Sequence, residues 1–353
     1  MCDRGKRMAR GGALFLLLAL LKSLAHAVPV QPQWPDNAAQ REGLGRLPNG
    51  AAPIPTVTIA EGVELPMAGL GTWQYNSSVA ESAVLAALRM GYTHIDTALG
   101  YKNQDGVGRA LAASGRPRDS YFVTSKIPGG LSYKETKQAL HLALEQLFPG
   151  QKDAYVDLML VHFPADWDGN GGKVLRQQEW KALEAFSKAG KASAIGVSHY
   201  CQSHLEDLFE IADIKPAVNQ VQYHVGMGTA GVNATDFKEY DKQVGVVYES
   251  FSPLCGPCDG SDKTELITGK LVTSIGAKYG KTGPQVALKW QVQQGIPVIP
   301  KSSNPLHLAQ NIDLFSWTLS AEDMATLSAA TVPAVSGVPG PDGKPVSGDC
   351  DVK

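Results

Sequence analysis

From residue 56 onward two hydrophobic patterns alternate along the chain. Short apolar, β-branched runs read as buried strands: Met67–Gly71, Thr93–Asp96, Tyr121–Ser125, Val156–Val161, Ala194–Val197, Ala217–Gln222, Val244–Glu249 and Pro297–Ile299. Between them apolar residues recur at helical spacing: Val79–Met90, Gly106–Ala113, Tyr133–Phe148, Gln177–Ala189, His204–Ala212, Thr235–Gln243, Leu266–Tyr279 and Pro284–Gln293. Leu140, Leu144, Leu147 and Phe148, for example, share one helical face. Gly91, Gly190 and Gly295 follow helices, where a left-handed C-cap favours glycine. A hairpin over Thr56–Ile59 and Val63–Leu65 precedes the series. This alternation predicts a closed parallel barrel, an (α/β)8 fold with an N-terminal hairpin. A doubly wound sheet would want G-x-G-x-x-G after its first strand. Gly69-Leu70-Gly71-Thr72-Trp73 lacks the third glycine and the helix start.

The flanks follow other rules. Arg4, Lys6, Arg7 and Arg10 precede an apolar run from Ala13 to Leu21 and then Ala25-His26-Ala27, the three parts of a secretory signal. The run is far shorter than the ~20 residues of a spanning helix. The expected organisation is a signal peptide over 1–27, a Pro/Gly-rich linker over 28–55, the barrel over 56–331 and a loose tail over 332–353. It predicts entry into the secretory pathway, to the lumen or the outside, with plastid delivery through a bipartite address as the alternative. No membrane association is expected after cleavage.

Composition narrows the function. The chain is 43% hydrophobic and 19% charged, enough to bury a large core. Its 32 Lys and Arg against 34 Asp and Glu leave no basic excess, which excludes nucleic-acid binding by bulk charge. Five Cys are too few for a disulfide-built fold. Cys255-Gly256-Pro257-Cys258 spells C-x-x-C, but the sequence after it reads as more loop, and a simple disulfide is favoured over a redox role.

In a parallel barrel the chemistry lies at the C-terminal ends of the strands. Those ends carry Trp73, then Asp96 with Tyr101 in the following loop, Lys126, His162, Ser198-His199, Gln220 and Gln222, Ser250-Phe251-Ser252, and Lys301-Ser302. Ionisable groups directly after apolar strands are costly to bury unless paired. A tyrosine titrates near ~10 and is a poor acid alone, but a lysine ammonium beside it favours the phenolate. An aspartate would hold the lysine charged, and a neutral histidine would orient a carbonyl. Tyr101, Lys126, Asp96 and His162 together thus describe a proton donor and oxyanion site for a C=O that receives a hydride. Each has an ordinary structural reading alone. Four on adjacent strand ends do not share one. No H-E-x-x-H or comparable metal pattern is present, and no metal is expected.

These motifs resemble the aldo-keto reductases. The likeness is carried by Gly69–Trp73, Gly91–Ala98 with Tyr101, Val123–Lys126, Asp157–Pro164, Ile195–Ser198, Pro216–Gln220 and Ile299–Ser302, in order. It implies an (α/β)8 barrel without a Rossmann domain that binds NADP(H) across the strand ends and reduces carbonyls. By motif, Tyr101 is the proton donor, Lys126 and Asp96 tune it, and His162 orients the carbonyl. Ser198, His199 and Gln220 would hold the carboxamide, and Phe251 would stack on the nicotinamide, with Ser252 and Leu254 beside it. Lys301 and Ser302 would meet the 2′-phosphate, with Asn304, His307, Gln310 and Asn311 around the adenine end.

Three positions depart from the usual pattern. His199 replaces Asn, Phe251 replaces Tyr, and His307 stands where an Arg is common. Imidazole is a weaker phosphate partner than guanidinium. NADPH is expected because Lys301 remains, with NADH possible. Trp73, Phe163, Trp167 and Tyr223 are expected to form an apolar pocket mouth, open to many aldehydes and ketones. The expected protein is a monomer with a small-molecule carbonyl substrate. The competing expectation is a non-catalytic, nucleotide-binding barrel that acts as a regulatory subunit.

Overall fold

The computed structural model describes residues 52–166, 169–227, 231–255 and 264–333. The expected signal peptide, nearly all of the linker and the tail beyond residue 333 lie outside them.

Strands β1 (Thr56–Ala60) and β2 (Val63–Pro66) form the expected antiparallel hairpin. Seven parallel strands follow in one sheet, each beside its sequence neighbour: β3 (Leu70–Gly71), β4 (His94–Asp96), β5 (Phe122–Ile127), β6 (Val156–Val161), β7 (Ala192–Ser198), β8 (Val218–Gln222) and β9 (Val247–Phe251). Val298 closes the ring by bridging Ser250 on one side and Ala68 on the other. Ser250 N donates to Pro297 O at 2.8 Å, and Gly69 N donates to Val298 O at 2.9 Å. Pro297 and Pro300 have no N–H to give, so the eighth strand is one bridging residue rather than a ladder. The barrel is therefore an (α/β)8 barrel.

Helices separate the strands: α1 (Ser77–Arg89), α2 (Gln104–Ala113), α3 (Tyr133–Leu147), α4 (Lys173–Lys188), α5 (Gln202–Phe209) and α6 (Gly231–Val244). The last part of the expected pattern is corrected. Leu266–Tyr279 is two helices, α7 (Glu265–Thr268) and α8 (Lys270–Tyr279), broken at Gly269. A Cβ there would sit 2.2 Å from Glu265 O, so only glycine lets the chain turn this tightly. Helix α9 (Gly283–Val292) also precedes the eighth strand, so the partner helix of that strand is α10 (Pro305–Ile312) and a further one, α11 (Ala321–Ser328), follows. Neither was expected. Both carry readable starts, since Asn304 caps Leu306 N ahead of Pro305 and Ser320 caps Asp323 N.

The two ends of the barrel differ. At the end where strands begin, Ile59 and Leu65 of the hairpin pack with Phe122, Ala217 and Val218. This apolar plug shuts that end and leaves the opposite one for polar groups.

Candidate active site

Strand register brings the polar groups together. Asp96 pairs with Thr124 across β4 and β5. Lys126 lies two residues on, on the same strand face, so its amine turns back over Asp96. Lys126 Nζ donates to Asp96 Oδ1 at 2.6 Å and Oδ2 at 2.7 Å, and to Thr97 O at 3.1 Å. Both side chains are buried. A 3-10 turn, Leu99–Tyr101, followed by Lys102 at φ 57°, then swings the phenol over these strand ends. Tyr101 OH lies 3.4 Å from Lys126 Nζ. The His162 ring, just past β6, meets the Tyr101 ring edge-on with centroids 5.4 Å apart. The four residues expected to act together are therefore one cluster.

Their electrostatics follow from burial. Burial works against the charge on Lys126, but Asp96 and Tyr101 outweigh it and hold the amine above its ordinary pKa. Burial, then the charge of Lys126, holds His162 well below the usual imidazole range, so the ring is neutral. The expectation for Tyr101 needs correction: burial raises the phenol more than Lys126 lowers it, and the net shift is upward.

A cavity of about 440 Å³ opens over the cluster. Tyr101, His162, Asp96, Trp73, Phe163, Ser198, His199, Gln220, Phe251, Ser252, Leu254 and Lys301 all line it. Phe163 stacks between His162 and His199, with centroids 4.6 and 4.3 Å away. Gln220 spends its amide hydrogens on Asp96 Oδ2 at 2.9 Å and Glu249 Oε2 at 2.8 Å, leaving its carbonyl oxygen for a ligand. Ser198 Oγ donates to Gln220 O at 2.7 Å. Lys301 Nζ donates to Gln74 Oε1 at 2.8 Å.

Other expected residues stand elsewhere. Tyr223 does not line the cavity. It is wholly buried in the shell between sheet and helices, stacked on Trp290 at 5.1 Å, because the outward face of this wall is an apolar layer. Ser302, Asn304, His307, Gln310 and Asn311 lie past Lys301, along and ahead of α10, outside the cavity lining. Asn304 Oδ1 is committed to the cap of that helix. Trp167 and Cys258 lie outside the described residues. Cys255 is disulfide-bonded.

Two features escaped the sequence reading. One is Glu249, fully buried on β9 beside Gln220. An acid inside an apolar strand is the same signal that marked Asp96. The other is backbone strain. Among the described residues, the non-glycine positions with positive φ are Gln74, Lys102, His199, Ser252 and Cys255, and all but Lys102 line the cavity. Strain of this kind gathers at functional sites and has no signature in composition.

Residues 67–331 match the model of the Aldo/keto reductase family. The chain belongs to the aldo/keto reductase family. The glyoxal reductase of Bacillus subtilis (strain 168) is 38% identical over 276 residues, which covers 78% of this chain and 92% of that protein. The morphine 6-dehydrogenase of Pseudomonas putida is 33% identical over 285 residues, or 78% of this chain and 91% of the relative. The solved structure of MGS-M4, an aldo-keto reductase from a Medee basin deep-sea metagenome library, matches with a TM-score of 0.68 and 36% identity over 78% of this chain and 95% of that one. This reductase is thus an oxidoreductase that acts on small-molecule carbonyls, in a family that uses NAD(P)H. The regulatory-subunit alternative gains no support from these relatives.

The expected destination is corrected. The secretory route rested on residues 1–27, and the plastid alternative on residues 28–55 as the second half of a bipartite address. The relatives that define this reductase are bacterial enzymes, and nothing in them indicates either route. Among the described residues no helix is long and apolar enough to cross a membrane.

Proposed function

We propose that this reductase converts aldehydes and ketones to alcohols with NADPH, and that Tyr101 donates the proton. The supporting observation is the Lys126 amine held between Asp96 and the Tyr101 hydroxyl at the floor of an open cavity. The cavity suits the cofactor. Gln220 offers an amide oxygen to a carboxamide, Phe251 offers a ring face, and Gly71 keeps the wall thin where a Cβ would meet Ile299 O at 2.9 Å. Lys301 and Ser302 are the residues we assign to the 2′-phosphate. When bound, the reduced nicotinamide supplies the hydride.

The chain's own groups do the rest. The carbonyl oxygen sits between Tyr101 and the neutral His162, which orients it by a hydrogen bond. As negative charge develops on that oxygen, Tyr101 passes its phenolic proton to it. An alkoxide is far more basic than a phenolate, so the transfer is downhill even with the phenol above its ordinary value. The Lys126 ammonium then stabilises the phenolate, and Asp96 keeps that ammonium charged and fixed. Among the described residues, the charged side chains that line the cavity are Asp96, whose partner Lys126 lies behind it, Asp166 and Lys301. Much of the remainder is apolar or aromatic, which favours uncharged carbonyl compounds of varied shape.

The direct test is loss of NADPH absorbance with a panel of aliphatic, aromatic and sugar aldehydes, repeated with NADH. Activity across several aldehydes, with the lower KM for NADPH, is expected. Silence across the panel overturns the activity, and a roughly tenfold preference for NADH overturns the choice of cofactor.

A further inference from the structure

Glu249 is a buried acid for which the reduction above has no use. Its Oε2 accepts from Gln220 Nε2, and the same nitrogen donates to Asp96 Oδ2. One amide thus spans two carboxyl groups. Glu249 Oε1 has no hydrogen-bond partner; the group that faces it is His94 Nδ1 at 4.0 Å, which has none either. The other ring nitrogen of His94 meets Thr124 Oγ1 at 2.9 Å. The titratable groups around Glu249 are therefore Asp96 and His94 from β4 and Lys126 from β5.

Two acids here share one ammonium in a dry centre. Burial, with the charge of Asp96 adding to it, pushes Glu249 up to about 8, and burial pushes His94 down to about 3. At neutral pH the carboxyl keeps its proton and the imidazole has none, so the centre is balanced by Asp96 and Lys126 alone. The geometry has a further consequence. A glutamine amide can seat either way round. Acceptors on both sides, at Asp96 and Glu249, favour the orientation with nitrogen inward. The carbonyl oxygen is then the end presented to the cavity.

We propose that Glu249 is a positioning residue for the reduction: through Gln220 it fixes the amide that meets the cofactor and steadies Asp96 against Lys126. This rests on the cofactor site assigned above. An alkyl side chain at 249 frees one amide hydrogen and removes the restraint. Glutamine at 249 keeps a neutral acceptor in nearly the same place. Above pH 8 the wild-type carboxyl ionises, a second negative charge competes for Lys126, and support for the Tyr101 phenolate weakens.

The test compares wild type, E249L and E249Q by NADPH dissociation constant, read from quenching of tryptophan fluorescence, and by kcat from about pH 6 to about 9.5. E249L is expected to bind NADPH about fivefold more weakly and to lose about tenfold in kcat. E249Q is expected to come back to within about threefold of wild type in both, and to lack the fall in kcat that wild type shows above about pH 8. A folded E249L within about twofold of wild type in both measures overturns the proposal, as does an E249Q that keeps the alkaline fall. If E249L does not fold, the E249Q profile decides by itself. A wild type that binds NADPH but reduces no aldehyde refutes the carbonyl-reductase reading instead, and the NADPH affinities of the two variants still decide the role of Glu249.

Discussion

Replacing Lys126 with methionine isolates the pair on which the site depends. Methionine keeps most of the buried stem but removes the ammonium, and with it the bonds to Asp96 at 2.6 and 2.7 Å and to Thr97 O at 3.1 Å. Asp96 retains one donor, Gln220 Nε2 at 2.9 Å. Removing one partner of a buried ion pair costs about 3–5 kcal/mol, because the remaining charge is left uncompensated. The penalty depends on pH. In the variant the folded-state pKa of Asp96 lies above its unfolded value of about 3.9. Burial already raises Asp96 above its ordinary value beside Lys126, and loss of the ammonium raises it further. The deficit is therefore absent at low pH, opens as pH passes the wild-type value and grows by up to about 1.4 kcal/mol per unit until pH passes that of the variant. Urea unfolding of wild type, Lys126→Met, Asp96→Asn and the double variant at about pH 5.5 and 8 reads this directly. Other buried acids titrate in both proteins and largely cancel in the difference. The expected result is a larger deficit at the higher pH, and a double variant more stable there than Lys126→Met. An equal deficit at both pH values, or a double variant no better than the single, refutes the uncompensated-charge argument.

Tyr101→Phe removes only a hydroxyl with a 3.4 Å contact to Lys126, so the urea midpoint should barely move while kcat falls about 10²–10⁴-fold; a variant that keeps a tenth of its kcat excludes Tyr101 as the donor. Tyr223→Ala should cost about 3–5 kcal/mol of stability from the Trp290 stack and leave the aldehyde KM within about twofold; a large rise in KM with unchanged stability would return Tyr223 to the pocket. Lys301→Met should raise the KM for NADPH about tenfold and spare that for NADH; equal effects on both remove Lys301 from the 2′-phosphate. Burial raises Glu179, Asp241 and Glu249 each to about 8, so the stability they give at low pH is lost as pH climbs from about 4.5 through 8. Burial lowers His94 to about 3 and His224 to about 4, so their contribution is complete above about 6.5 and lost as pH falls. Above about pH 6.5 the histidine contribution is complete and only the acids still titrate, so calorimetry should find a Tm that falls from about pH 6.5 to 8.5; a Tm that rises over that range contradicts these assignments.

Much of this site was legible because ionisable residues stand out against apolar strands. Asp96, Lys126 and His162 follow β-branched runs, and the barrel rule tells which end of each run matters. Tyr101 was reached through the company it keeps, since a loop tyrosine alone says little. Legibility failed where contact is made through tertiary packing. Tyr223 follows a strand like the others, yet its ring turns outward onto Trp290, and nothing in local sequence gives that direction. The helix break at Gly269 was missed because the apolar period continues across it. The eighth strand was placed correctly over Pro297–Ile299, but its prolines reduce it to a single bridging residue.

The uneven distribution of cost around the barrel locates the function independently of any motif. The hairpin end is ordinary apolar packing around Ile59, Leu65 and Phe122. At the other end lie the buried Asp96–Lys126 pair and strained backbone at Gln74, His199, Ser252 and Cys255. Each strained residue costs about 1–3 kcal/mol. A fold selected for stability alone would not gather these at one rim. Their concentration on the cavity wall is what a carbonyl-reducing site requires: charges fixed in advance, donors aimed at one oxygen, and little rearrangement left for the moment of reaction.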